Sequence, residues 1–167
     1  MSGAIERAAR PAFADVEAAY PNRNLSAVDL FDEIGIGALI GDPAYRNTCA
    51  IRMSYALTRA GLTLPRGGLR INKGPFKGKR IEAGMRRLAD QLVELWGLPQ
   101  RFETDAAAVD ALALKQGVVV FLFGETIPLV GAQGHIDLLR PSQSVRKACV
   151  GSCFFGPRNK VWFWELN

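Results

Sequence analysis

The chain has 167 residues, 49% hydrophobic and 22% charged, with a mean hydropathy of +0.05; this length and composition exclude a disordered or collagen-like chain and suffice for a core without staples. Three cysteines and a single histidine, His135, exclude most zinc-finger patterns and any site that needs two imidazoles. A formal charge of +5 and a pI near 9.4 favour a polyanionic partner, with nucleic acid, anionic lipid and an acidic polymer all left open.

Residues 1–10 are small and polar and are expected to form a disordered segment ahead of one domain spanning 11–167. They hold no apolar run of signal-peptide length, so the chain is expected to be made in the cytoplasm without a signal peptide. Pro11 opens a helical stretch over 12–20 that Pro21 stops. Ser26 is placed to cap a second helix with Val28, Phe31 and Ile34 on one face, broken by Gly35 and Gly37. A third helix covers 47–57, with Asn47 or Thr48 as its cap and Gly61 as its stop. Residues 61–79, rich in glycine, proline and lysine, read as a long surface loop with one short strand at 69–71. Ile81, Met85, Leu88, Leu92, Leu95 and Trp96 recur mostly at spacings of three and four, predicting an amphipathic helix that ends at Gly97. A shorter alanine-rich helix follows Thr104 or Asp105.

Beyond Gly117 the pattern turns to β-type runs at 118–123, 134–139, 153–155 and 161–164. The longest purely apolar stretch, 118–123, falls far short of the roughly 20 residues of a membrane helix, and no membrane insertion is expected. Helices first and an antiparallel sheet second define an α+β fold.

Cys49 falls in the first turn of the third helix, where unpaired N–H groups and the helix dipole favour thiolate over thiol. The bland reading is a small buried cysteine filling the core. His135 and Asp137 project from one face of the strand over 134–139, so the imidazole has an acid beside it. A helix-start cysteine upstream and a strand histidine downstream form the pattern that Cys–His hydrolases use. Cys149 and Cys153 form a C-x3-C pair open to a local disulfide or to half of a metal site; a zinc site would have to recruit Cys49 and His135 without paired knuckles, and no metal or cofactor is expected. Lys73, Lys77, Lys79 and Arg80 make a basic loop around Gly74, Pro75, Phe76 and Gly78 that suits carboxylates or phosphates. One aromatic and no nucleic-acid motif leave a basic nucleic-acid-binding module as the weaker reading.

The stretch from Asn47 to Leu57 (NTCAIRMSYAL), Gly74-Pro75-Phe76-Lys77-Gly78-Lys79, Gly134-His135-Ile136-Asp137-Leu138 and Phe163-Trp164-Glu165-Leu166 together resemble the fourth family of type VI secretion amidase effectors. The resemblance runs from about Ala12 to Leu166 and implies a papain-like, NlpC-type cysteine peptidase, with the helix carrying the catalytic cysteine packed on the C-terminal sheet. It further implies a toxin injected by a type VI secretion apparatus into the periplasm of a Gram-negative target, cutting peptidoglycan stem peptides between D-glutamate and meso-diaminopimelate, and a cognate immunity protein in the producer. Cys49, His135 and Asp137 would be catalytic, with Asn47, Thr48 and Lys77 at the oxyanion or substrate. A Cys149–Cys153 disulfide would suit the periplasm.

The resemblance implies a Cys–His–acid triad with the acid on the strand following the histidine, and the chain departs from it, since no Asp or Glu lies between Leu138 and Trp164. Asp137 is the nearby acid, but two residues along a strand is about 6 to 7 Å, long for a direct bond to the ring. Ser142, Gln143 or Ser144 is the alternative for orienting it. A noncatalytic wall-binding or interaction domain of the same shape is the remaining class.

Overall fold

The computed structural model describes residues 8–21, 24–124 and 134–167. Most of the segment 1–10 therefore lies outside the described residues. At its end Arg10 donates to the Glu165 carbonyl at 3.0 Å and sits 5.8 Å from the centroid of Trp96.

Helix α1 (Phe13–Ala19) is followed by α2 (Ala27–Ile34). The Ser26 hydroxyl accepts from the Asp29 N–H at 3.1 Å at the start of α2, and Gly35, at φ 85°, ends it in the left-handed conformation that glycine adopts most readily. Two short 3-10 turns at 37–39 and 43–45 lead into α3 (Cys49–Arg59). Strands β1 (Leu69–Arg70) and β2 (Arg80–Ile81) form an antiparallel ribbon. Then come α4 (Met85–Trp96), β3 (Gln100–Phe102), α5 (Asp105–Ala111), β4 (Gly117–Leu122), β5 (Gly134–Leu139) and β6 (Lys160–Glu165). The main sheet is antiparallel with order β3-β6-β4-β5. Helices followed by an antiparallel sheet make the α+β fold expected.

Strand alternation splits the sheet between two cores. Val118, Val120, Ile136, Leu138 and Trp164 face α3 and α4, meeting Ala50, Met53, Leu57, Leu88 and Leu92. Val119, Phe121, Leu139, Val161 and Phe163 face the other way, onto Ala108 of α5 and Val145. The opposite side of α3 carries Ile51 and Tyr55 into a third cluster with Leu30, Phe31 and Ile34 of α2, Ile71 just after β1 and Ile81 of β2. Helix α3 is thus apolar on most of its circumference because it is buried on both sides, and this fixes the position of its first residue, Cys49. Among the described residues no helix is long and apolar enough to cross a membrane.

The structure corrects two readings and adds one strand. Residues 153–155 form no strand: Cys153 is bonded to Cys149, Asn159 donates to the Phe154 carbonyl at 2.7 Å, and Phe155 packs edge-on against Phe121 at 4.9 Å. These aromatics cover a face of the sheet instead of extending its edge. Ile81 belongs to β2 and not to the amphipathic helix, which starts only after the Glu82 carboxylate has accepted the Gly84 N–H at 2.9 Å. Strand β3, polar and largely exposed, pairs with β6 although its sequence carries no alternation.

Candidate active site

Cys49 is the first residue of α3, is 6% exposed and is the free cysteine. The helix start is built by its neighbours: Asn47 Oδ1 accepts the Cys49 N–H at 3.1 Å, and Thr48 Oγ1 accepts from Arg52 Nε at 3.0 Å. Arg52 in turn donates from Nη2 to the Leu25 carbonyl at 2.7 Å, tying the turn to the segment before α2.

His135 and Asp137 share a face of β5, and their side chains meet directly, His135 Nε2 to Asp137 Oδ2 at 2.7 Å. The expectation of an indirect link is corrected: side chains in a strand lean along its direction, and two long enough groups close the gap between alternate residues. Ser142 bonds instead within its own loop, accepting the Ser144 N–H at 2.9 Å, and neither these two nor Gln143 lines the cavity around His135. The imidazole lies between Phe121, near-parallel at 6.4 Å, and Phe154, edge-on at 4.9 Å.

Asp137 is fully buried, a placement costing several kcal/mol for a carboxylate without partners. Its partners are backbone donors. Oδ1 accepts the N–H groups of Leu138 at 2.7 Å and Gly151 at 3.0 Å, and Oδ2 accepts that of Ser152 at 2.9 Å. The last two belong to the loop closed by the Cys149–Cys153 disulfide, whose Cα atoms are 5.3 Å apart. Successive N–H groups on one loop make a nest for an anion. Glycine at residue 151 lets the loop come this close, because a Cβ there would lie 2.5 Å from Asp137 Oδ2.

Burial alone lowers the His135 pKa, but hydrogen bonds to Asp137 and Cys49, with the negative charge of both, outweigh it and raise the value to about 9. The ring is therefore an imidazolium at neutral pH. With Nε2 committed to Asp137, Nδ1 is the nitrogen left to serve Cys49.

Tyr20, Asn47, Thr48 and Arg52 complete the wall of a cavity of about 310 Å³ with Cys49, His135 and Asp137. Burial first, then the negative charge of Asp137 and Cys49, push the Tyr20 phenol well above its usual range against the opposing charge of Arg52. Tyr20 keeps its proton and offers an O–H donor. Tyr20, Arg52, Gly151 and Ser152 escaped the sequence reading; only the Gly-Ser pair inside C-x3-C hinted at a loop with free N–H groups. Lys77 is exposed on the connection between β1 and β2 and lines neither this cavity nor a second one, of about 480 Å³, that Cys49 and Asn47 also line. The zinc alternative is not realised, since the Cys149 and Cys153 sulfurs are bonded to each other. A thiol at a helix start, an imidazolium and a buried carboxylate in one cavity have the chemistry for acyl transfer through a covalent intermediate.

A family model described as type VI secretion system (T6SS), amidase effector protein 4, matches residues 45–164. Among solved structures, the type VI effector Tae4 from Enterobacter cloacae superposes with a TM-score of 0.74 at 23% identity, over 96% of this chain and 99% of that one. The effector Tae4 from Salmonella typhimurium, in complex with the immunity Tai4 from Enterobacter cloacae, gives 0.74 at 22%, over 95% and 100%. The Tae4-Tai4 effector-immunity complex from Salmonella Typhimurium gives 0.73 at 24%, over 95% and 100%. At these identities the similarity establishes a common fold. No curated protein sequence matches the chain.

Proposed function

Because the chain belongs to the type VI secretion system amidase effector 4 family, we propose that it is an antibacterial toxin that hydrolyses the γ-D-glutamyl–meso-diaminopimelate bond of peptidoglycan stem peptides, with Cys49 as nucleophile and His135 as proton carrier. Cys49 Sγ, as the thiolate, attacks the γ-carbonyl carbon. The resulting oxyanion replaces Asn47 Oδ1 on the Cys49 N–H, with the Tyr20 O–H as a nearby donor. As the tetrahedral adduct collapses, the C–N bond breaks and the departing diaminopimelate amine takes the His135 proton. Water then attacks the thioester, His135 accepts its proton, and the thiolate is regenerated. Asp137 holds the ring in place and balances its charge.

The observation that carries this reading is the 2.7 Å contact between His135 and a fully buried Asp137 in the cavity lined by Cys49. A merely structural histidine needs no buried carboxylate held by three backbone donors. The +5 charge suits an anionic wall, and the disulfide suits the periplasm of a Gram-negative target reached through the secretion apparatus. By analogy with the Tai4 complexes of the solved relatives, the producer protects itself with a cognate immunity protein.

The test is mass spectrometry of muropeptides after incubation with wild type and Cys49→Ala. New products ending in D-glutamate, with matching fragments bearing a free diaminopimelate amine, are expected from wild type alone. Peptidoglycan bound without any released amine would favour the noncatalytic reading, and salt-sensitive nucleic-acid binding without hydrolysis would favour the nucleic-acid one.

A further inference from the structure

The second cavity, of about 480 Å³, shares Asn47 and Cys49 with the first and is also lined by Arg86 and Arg87. Their commitments differ. Arg86 donates to Asp90 Oδ1 at 3.3 Å and lies 4.8 Å from the Trp162 centroid. The Arg87 side chain is 72% exposed, and among the described residues its hydrogen bonding is confined to Nε, 3.0 Å from Glu82 Oε1. Both of its Nη groups therefore remain for a ligand.

The carboxylate that holds the guanidinium is itself fixed from two sides. Glu82 is a buried carboxylate, fixed by the Gly84 N–H at 2.9 Å and by Gln91 Nε2 at 3.3 Å. Gly84 leaves the room in which the Arg87 head lies, since a Cβ there would stand 2.6 Å from Arg87 Cζ. A guanidinium oriented in advance through Nε presents a planar pair of donors that matches a carboxylate, and ordering it before binding removes part of the entropic cost.

The position of His135 orients the substrate. His135 lines the first cavity and not the second, and the leaving amine takes its proton from that ring. With the departing half set beside His135 in the first cavity, the second, which Cys49 also lines, is left for the acyl half. A glutamyl residue linked through its γ-carboxyl carries a free α-carboxylate one short methylene chain from the carbonyl under attack. We propose that Arg87, set by Glu82 and Gly84, binds this α-carboxylate, so that the site selects stem peptides in which it is free over those in which it is amidated. This specificity rests on the peptidase reading above.

The experiment compares kcat/KM on two stem peptides that differ only in a free or amidated D-glutamyl α-carboxyl, with Tm and the rate of Cys49 alkylation by iodoacetamide as checks on fold and nucleophile. Wild type is expected to prefer the free acid by about 10- to 100-fold, the range of a charge-assisted bond to carboxylate. Arg87→Ala is expected to level the two. Should Arg87→Ala lose its cooperative melt, the ratio is read in Arg87→Lys, which keeps a charge beside Glu82 but not the fork, and is expected to drop several-fold. Equal rates for wild type on both stems, or an unchanged preference in a folded Arg87 variant, overturns the assignment while leaving the peptidase reading standing. Cleavage of neither stem by wild type defeats that reading, and this one with it.

Discussion

Replacing Gly151 by alanine tests whether the disulfide loop holds the acid that holds the histidine. The added Cβ would fall 2.5 Å from Asp137 Oδ2 and 3.3 Å from its Cγ, far inside contact distance, so either the loop or the carboxylate has to move. Moving the loop breaks the N–H bonds from Gly151 and Ser152 at 3.0 and 2.9 Å; moving the carboxylate breaks the 2.7 Å bond to His135 as well. Hydrogen bonds to charged groups contribute about 1.5–3 kcal/mol each, so Tm should fall by several degrees. The ring loses its orientation, and kcat/KM on a stem peptide should fall by about 10²-fold, the lower end of what general acid–base catalysis supplies. The sign of the pH effect is equally definite. Losing the Asp137 bond removes a cause that raises the His135 pKa, so the value should drop from about 9 toward 6.5 and the alkaline limb of the rate profile should move down with it. The assay is kcat/KM against pH, with NMR titration of the single imidazole. Gly156→Ala is the control, because a Cβ there meets only Asn159 Nδ2 at an ordinary 3.6 Å. Wild-type turnover in Gly151→Ala with an unmoved His135 titration would mean that the loop does not hold Asp137 and His135 in place.

Reducing the Cys149–Cys153 disulfide should cost at or below about 2 kcal/mol, since the closed loop is short, yet lower activity measurably by loosening the donors on Asp137; thermal melts and kcat/KM with and without reductant measure both. Thiol counting on the oxidised, unfolded protein should find one free thiol of the three cysteines. Wild-type activity should persist below pH 7 and fall as pH rises through about 9, where His135 loses its proton. Because that folded value exceeds the ordinary 6.5, the ring's charge stabilises the fold fully below pH 6.5 and ceases to as pH passes 9; the Tm gap between wild type and His135→Ala should shrink over that interval. Ser54→Ala should lower stability by about 1–3 kcal/mol without slowing Cys49 alkylation, because the Ser54 hydroxyl accepts the buried Glu82 N–H at 3.0 Å and donates to its carbonyl at 3.2 Å.

Local signals carried much of the fold. Ser26 and Thr104 accept N–H bonds at the starts of α2 and α5, and Gly35 and Gly97 end α2 and α4, where side-chain chemistry and backbone freedom act within one turn. Strand β5 matches its expected range because apolar residues alternate into the helix-facing core. Strand β3 was illegible: Gln100 and Arg101 are polar and exposed, and only its partner β6 makes the segment a strand. At the site, Cys49 and His135 could be singled out because a helix start and a strand histidine are visible locally. The donors on Asp137 come from residues 151 and 152 across a twenty-residue connection whose path depends on the disulfide and on Phe154 and Phe155 packing against Phe121. The second cavity joins α4 to the start of α3, a juxtaposition made by the core both helices share and by no pattern in either segment.

In the proposed mechanism Cys49 carries the acyl half of the stem peptide in a covalent thioester. Intact-protein mass spectrometry after rapid acid quench with a stem-peptide substrate tests it most directly. The expected adduct equals the glutamyl-terminated half, maps to Cys49 on digestion and is absent from Cys49→Ala. An adduct carrying diaminopimelate, an adduct on another residue, or product release by Cys49→Ala at the wild-type rate would contradict it.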